Sequence, residues 1–446
     1  MRVVHVVNVA DTGGAQTLVE ALVAHRPAGT YAGVVVLGSP GVLSARLAAV
    51  ADRVDHLGLD PGTWRLDRLL RRVRVAVAVH RAEVVHAHLL QSDLAVALLP
   101  GRVARVSTVH TTGFGAGDRV RSRGLARVMA RLSWRFAYSV ACSRQARVYM
   151  AGAGYPARRT LLIENGVALP PAPVDRDVAS PRESVAPTCV TPPDPSARDG
   201  ALPAASIAED GAVSSAGCGV RAAEEKAVVC VRPREDAAVR VGPREDAAVV
   251  RVRPREDAAA VRVGPREEPV FVSLSRWHPM KDHATLFGAF ALLLRRHPRY
   301  KLRCCGSGVT PGNRELTGLI ARLGLEDRVD LCGPVEKPAR VLEGAHALVL
   351  SSAYGEALPM AGLEALALGV PVVATDVGDC ARLCADPGLL ARPRDERSLA
   401  AALMRVAEFG PAERAALSAA ARGIAASFDI RRTVAAYYEL YGKVRP

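Results

Sequence analysis

The sequence predicts an α/β protein of two Rossmann-like domains facing across a cleft, with a long low-complexity insertion between them. Three observations carry this. Short β-branched runs alternate with longer helical patterns along residues 1–170, and the same alternation restarts at residue 270. Between them lie 98 residues, 171–268, without one Phe, Tyr or Trp and with twelve of the thirty prolines; such a stretch builds no ordinary core. Removing it from the 446 leaves 348 residues, two domains of common size.

Residues 3–9 read as the first strand, and Gly13-Gly14 turns into a helix that runs through Ala24. Strands follow at 34–37, 84–88, 106–110 and 139–143, and 161–164 closes the half at the turn dipeptide Asn165-Gly166. The second half opens with a strand at 270–274 and a helix at 283–296 stopped by Pro298. Its strands recur at 302–305, 329–332, 347–351 and 370–375. A helix opened by Pro359 and ended before Gly369 and Pro371 carries its start and stop residues in the expected places. Its amino terminus points at the carboxyl edge of the sheet, where doubly wound folds bind ligands and oriented N–H groups favour phosphate. The domains therefore read 1–170, insertion 171–268, and 269–429, with a helix over 430–446 packing back toward the first domain.

Inside the insertion Pro-Arg-Glu-Asp occurs at 233, 243 and 254, and Pro-Arg-Glu-Glu at 265. Periods this short build no helical solenoid. The segment reads as a disordered tandem expansion, with a charged docking arm as the alternative. It carries a net charge of −3, leaving +17 on the rest. A basic body points to nucleotide phosphates, an anionic membrane or nucleic acid. The nine Tyr and seven Phe form no basic-aromatic stripe of the kind that stacks bases, which counts against nucleic acid. No apolar run reaches the roughly eighteen residues that cross a bilayer, and residues 1–10, interrupted by Arg2, His5 and Asn8, do not resemble a signal peptide. Nine scattered cysteines without a C-x-x-C pair read as reduced thiols of a cytoplasmic protein, and Cys380 and Cys384 lack the second pair a metal site needs.

The chemistry concentrates in the second half. Glu356 lies in the loop after strand 347–351 and Glu364 inside the following helix. A carboxylate can accept both hydroxyls of a ribose or hexose diol; a solvated glutamate and a helix-dipole partner would explain the pair equally well. Arg276 and Lys281, after the strand that opens this half, can clamp a diphosphate and neutralise a leaving group, although Arg-x4-Lys alone is a common solvated turn. Gly306-Ser307-Gly308 follows the next strand.

Taken in order, Ser-Arg-Trp-x3-Lys-Asp, Cys-Gly-Ser-Gly, Val-Asp-Leu-Cys-Gly-Pro, Leu-Ser-Ser-x3-Glu-Ala-Leu-Pro and Leu-Glu-Ala-Leu-Ala-Leu-Gly-Val-Pro-Val-Val-Ala-Thr-Asp-Val-Gly resemble the donor half of the retaining family-4 glycosyltransferases, which have the GT-B fold. Weaker matches in the first half are Gly13-Gly14-Ala-Gln, Val-Val-His-Ala-His before Asp93, Val-His-Thr, Ala-Cys-Ser and Glu-Asn-Gly-Val. The insertion, Ser275 before the arginine and Ala357 after the first glutamate depart from the family pattern.

The resemblance implies a nucleotide-diphosphate-sugar donor held by Arg276 and Lys281 at the diphosphate, Glu364 at the ribose and Glu356 at the sugar. It implies that His110 contacts the sugar from the opposite half, that Gly13 and Gly14 admit the phosphates, and that Gly306, Leu358 and Met360 complete the donor side. Glu356 and His110 are the catalytic candidates. The acceptor would be a hydroxyl of a glycan, a lipid-linked sugar or a small metabolite, as in polysaccharide or glycolipid biosynthesis. No Asp-x-Asp lies on a folded element, Asp175-Arg-Asp177 being in the insertion, so neither a metal nor another cofactor is expected. His86 and His88 share a strand face, but with no third partner for a metal they read as structural. Within 119–138, Arg123, Arg127 and Arg131 segregate from Leu125, Val128 and Leu132. That helix either packs on the sheet with a wet basic face or meets an anionic membrane at the cytoplasmic side. Other readings are a sugar-nucleotide epimerase of the same fold, which needs no acceptor, and a catalytically silent GT-B scaffold.

Overall fold

A computed structural model describes residues 1–11, 13–59, 65–115, 117–118, 120–170 and 268–446. The insertion and its repeats lie outside these, except Glu268, which pairs with Lys301 at 3.1 Å and Arg328 at 3.0 Å.

The first half contains β1 (Arg2–Val7), α1 (Gly14–Ala24), β2 (Tyr31–Val36), α2 (Ser44–Val50), β3 (Arg53–His56) and α3 (Leu66–Val79). It continues with β4 (Val84–His88), α4 (Leu90–Ala97), β5 (Ala104–Val109), α5 (Val120–Leu132), β6 (Tyr138–Ala141), α6 (Arg144–Ala153) and β7 (Thr160–Leu162). The second contains β8 (Val270–Leu274), α7 (His283–Leu294), β9 (Lys301–Cys305), α8 (Arg314–Arg322), β10 (Val329–Gly333), α9 (Pro338–Leu342) and β11 (Ala347–Leu350). After these come α10 (Met360–Ala367), β12 (Val372–Thr375), β13 (Leu390–Ala391), α11 (Glu396–Glu408), α12 (Pro411–Ser427) and α13 (Ile430–Val444).

Both sheets are parallel and doubly wound. The first runs β3-β2-β1-β4-β5-β6-β7 and the second β10-β9-β8-β11-β12-β13, each reversing direction beside its first strand. The valine runs of β1, β2 and β4 are buried on both faces, as a sheet covered by helices on each side requires. In the first half, Val4, Val6 and Val85 pack under α3, α4 and α5 through Leu69, Val73, Val96 and Met129. On the other face Val3, Val84 and Val106 meet Leu18 and Leu22 of α1, and Tyr437 and Tyr441 of α13. The C-terminal helix thus shares the first half's core. It is led there at Val167, whose N–H donates to the Phe428 carbonyl at 2.8 Å and whose carbonyl accepts from Ile430 N at 3.0 Å.

Strand ends differ from the sequence pattern. The first strand stops at Val7 rather than residue 9, and β5, β6 and β7 end one or two residues early, because the chain peels off at the carboxyl edge to form loops. Ser143, read as strand, instead caps α6, its hydroxyl accepting from Ala146 N at 3.0 Å. The edge strands β3 and β13 escaped the pattern because β3 is the short, largely polar Arg-Val-Asp-His and β13 has two residues.

Candidate active site between the two halves

The turn after β8 carries Arg276 and Lys281, and the turn after β9 packs directly against it. Gly306 has φ +152°, and a Cβ there would lie 2.1 Å from the Ser275 carbonyl oxygen. Only glycine allows this approach. The Ser307 carbonyl accepts from Trp277 N at 2.7 Å, locking the turns together. The loop after β11 is pinned in the same way: Gly378, at φ +62°, would place a Cβ 2.0 Å from the Glu356 carbonyl oxygen.

These turns bring Lys281 and Glu356 into an ion pair. Ser352 Oγ also donates to Glu356 Oε1, at 2.6 Å. Burial pushes the Glu356 carboxyl up, but Lys281, Ser352 and the nearby Arg276 outweigh it and hold the group below the usual carboxylate value. Arg276 is exposed and forms no ion pair among the described residues. Glu364, in the middle of α10, has no hydrogen bond from its carboxyl among the described residues. Burial, reinforced by Glu20 and opposed by Arg46, raises it to about 7.

The first half closes on this region. Thr112 Oγ1 donates to the Glu356 carbonyl at 2.6 Å and Thr111 Oγ1 to that of Gly355 at 3.1 Å, so the segment after β5 sits on the Glu356 loop. His110 is immediately before it, its Nε2 3.3 Å from His88 Nδ1. A Cβ on Gly14, at the start of α1, would be 3.3 Å from Met360 Cγ. The space beside Gly14 is therefore taken up by the opposite half. At Gly13 the nearest atom would be the side-chain oxygen of Gln16, at 2.6 Å. Leu358 belongs to the apolar core under α10, and Met360 is shared between that core and the contact with Gly14.

Several residues here were not singled out from sequence. Asp379, buried just beyond Gly378, accepts from Arg144 N at 2.9 Å and Gln145 N at 3.1 Å, capping α6 from the other half. Arg382 bridges Asp379 and Glu164, and Asn165 Nδ2 donates to the Leu358 carbonyl at 3.0 Å. The signal was present in part, since Glu164, Asn165 and Gly378 belong to the motifs quoted above.

Two corrections concern the first half. His86 and His88 do have a third imidazole beside them: His5, on the adjacent β1, in register with His86, brings one ring nitrogen of each of the three within 4.8 Å of the others. The sequence hid this because the partner is 81 residues away and made adjacent only by strand order. On α5 the apolar side is Ala126, Met129 and Ala130, with Leu125 and Leu132 half-buried. Val128 instead shares the exposed side with Arg127 and Arg131.

Comparison with known proteins gives two family matches, the glycosyltransferase family 4 over residues 12–169 and the glycosyl transferases group 1 over 255–423. An exopolysaccharide phosphotransferase of Streptomyces coelicolor is 42% identical over 129 residues, 28% of this chain and 13% of that protein. A D-inositol 3-phosphate glycosyltransferase of Saccharomonospora viridis is 34% identical over 184 residues, 39% of this chain and 42% of the relative. The matches thus span less than half of these relatives' lengths. Among solved structures, Anabaena HepE in complex with UDP and glucose superposes with a TM-score of 0.67 over 99% of this chain and all of that one, at 17% identity. That likeness establishes the fold.

Proposed function

Because the chain belongs to the family-4 and group-1 glycosyltransferases of GT-B fold, we propose that it moves a sugar from a nucleotide diphosphate to an acceptor hydroxyl with retention and without a metal. The observation that carries this reading is the convergence of Lys281, Arg276, Glu356 and the segment after His110 where the halves meet. Two cations beside a buried carboxylate suit a substrate that joins a diphosphate to a polyol.

In this reading Arg276 and Lys281 take the diphosphate. One Lys281 proton is spent on Glu356, and an ammonium has two more for phosphate oxygens. Glu356, held ionised by its neighbours, faces the sugar and stabilises positive charge building at the anomeric carbon as the phosphate leaves. Glu364 takes the ribose hydroxyls, and His110 orients the sugar from the first half. Backbone N–H groups at Gly13, Gly14 and Met360 complete the phosphate and sugar contacts, and the first turn of α10 favours negative charge. Gly306, whose own N–H donates to the Gly333 carbonyl at 2.7 Å, and Leu358 shape the donor side without donating to it. With leaving-group charge neutralised by side chains, no divalent cation or other cofactor is required. The acceptor attacks from the face the phosphate vacates. It is a hydroxyl of a growing glycan, a lipid-linked sugar or a small metabolite, and an inositol phosphate is the candidate that the Saccharomonospora relative's name suggests.

A panel of nucleotide-sugars, UDP-glucose first, tests this by protection against thermal unfolding and by the anomeric configuration of the product. Arg276→Ala and Lys281→Ala are expected to weaken the nucleotide-sugar far more than the free nucleoside, and a chelator to leave turnover unchanged. Inverted product, or turnover abolished by the chelator and restored by magnesium, overturns the mechanism. Release of an epimerised sugar without an acceptor would favour the epimerase.

Peripheral contact with an anionic membrane, at the cytoplasmic side, belongs to the same reading. Val120, Val128 and Trp134 are 74%, 43% and 57% exposed beside Arg121, Arg127 and Arg131. Among the described residues no helix is long and apolar enough to cross a membrane. Sedimentation with phosphatidylglycerol vesicles, lost in Trp134→Ser, is the expected outcome.

A further inference from the structure

Three imidazoles form a buried rod across the first sheet. His5 Nδ1 lies 3.3 Å from His88 Nε2, and His88 Nδ1 lies 3.3 Å from His110 Nε2. The rod starts inside β1, crosses the end of β4 and reaches the residue after β5, where the carboxyl edge meets the Glu356 loop. The far nitrogen of His5, Nε2, is buried without a hydrogen-bond partner.

That orphan atom decides the protonation of the whole rod. A neutral imidazole has one N–H and one lone pair, and burial lowers His5 to about 3 and His110 to about 4, with His88 also well below its ordinary value, so all three are neutral near pH 7. A buried N–H with no acceptor is rarer in folded proteins than an unused acceptor. His5 therefore carries its proton on Nδ1 and donates to His88 Nε2. His88 must then carry its own on Nδ1 and donate to His110 Nε2. By the same step His110 is protonated on Nδ1, which has no protein partner among the described residues.

His86, although it completes the cluster, is already spent. Its Nδ1 meets Tyr441 Oη at 2.6 Å and its Nε2 meets Thr108 Oγ1 at 2.7 Å. A cation bound by His5, His86 and His88 would have to displace one of these hydroxyls, so the arrangement fits hydrogen-bonded neutral rings. The turn leaving His88 is strained, since Leu89, a bulky residue, sits at φ +78°, and such strain persists where the surrounding structure fixes a side chain.

We propose that His88 and His5 are positioning residues that lock His110 in its Nδ1-protonated form, so that it presents a hydrogen-bond donor to an oxygen of the bound sugar. The proposal rests on the reading of His110 as a donor-site residue. A neutral donor orients a sugar hydroxyl without adding positive charge beside the anomeric carbon.

The test is a long-range proton–nitrogen correlation spectrum of the full chain with nitrogen-15 histidine, which reports each ring's tautomer. Signals are assigned by loss in His110→Asn. In the unmutated protein His88 and His110 are expected as Nδ1–H forms. In His88→Met, whose sulfur can accept but not donate, the His110 signal should shift toward the Nε2–H form and turnover should drop roughly tenfold, about the size of one lost hydrogen bond. An Nε2–H His110 in the unmutated protein overturns the proposal, and so does an unchanged tautomer in a folded His88→Met protein. If His88→Met does not fold, the unmutated spectrum still decides. A His110→Asn protein with unmutated turnover and donor affinity would remove the donor-site reading, while an Nδ1–H spectrum would leave the lock standing.

Discussion

Glu364 and Asp93 show how burial alone sets residue-scale behaviour. With a carboxyl raised to about 7, Glu364 is half-protonated near neutrality, and only the ionised form can accept both hydroxyls of a ribose. Nucleotide affinity should therefore rise as pH increases through about 7. Calorimetric titration with UDP-glucose, whose diphosphate does not titrate near neutrality, should show this in the unmutated protein and a flat profile in Glu364→Gln. A profile unchanged by the substitution would place the titrating group elsewhere. Asp93 is likewise raised to about 7 by burial, against a hydrogen bond from Ser107 at 2.7 Å. A carboxyl raised on folding binds its proton more tightly in the native state, so its contribution to stability is full below the unfolded value near 4 and declines as pH rises to about 7. Asp93→Asn keeps an acceptor for Ser107 and removes the ionisation. It should stabilise at pH 8 by on the order of 2–4 kcal/mol, with the gain shrinking toward zero as pH falls to about 4 in denaturant titrations. Asp93 was legible in sequence only as a neighbour of the His-Ala-His motif, because its burial depends on packing between α4 and β5.

Elements with strong periodicity were read well and those without it were not. The buried valine runs of β1, β4 and β8, and the apolar α7, announce themselves, whereas β3 shows one hydrophobic residue in four. Cross-element capping is harder still, because it joins a motif of one half to a helix of the other. The α6 amino terminus receives Ser143 from its own chain segment and the Asp379 carboxylate from the opposite half. A carboxylate on two N–H groups at a helix start combines charge-assisted hydrogen bonds with the helix dipole. Asp379→Ala should cost about 2–3 kcal/mol in denaturant unfolding. It should also speed amide exchange at Arg144 and Gln145 before it changes exchange in β4. Equal protection in both proteins would mean that the contact adds nothing to the docking of the halves.

At the scale of the whole molecule, the two parallel sheets are legible in the alternation except for their edge strands β3 and β13, and the last helix was read as packing back toward the first domain without the residues that do so. Its tyrosines cover β1, β4 and β5 from a position beyond both sheets in the chain, so the halves are tied at Val167 and through α13, as well as by the Thr112, Asp379 and Asn165 contacts, without the insertion. Residue 268, where the described chain resumes, is fixed by Lys301 and Arg328. Loop closure costs grow only with the logarithm of length, so a segment of this size adds about 2–3 kcal/mol over a short linker. Replacing residues 171–267 with about ten Gly and Ser residues should therefore leave the unfolding midpoint equal or slightly higher and nucleotide binding unchanged. Acceptor choice is the property open to change, since the replaced segment leaves and rejoins the chain between the two halves. A shortened protein that did not fold, or that lost the nucleotide while remaining folded, would make residues 171–267 an integral part of the folded protein and overturn the two-domain division.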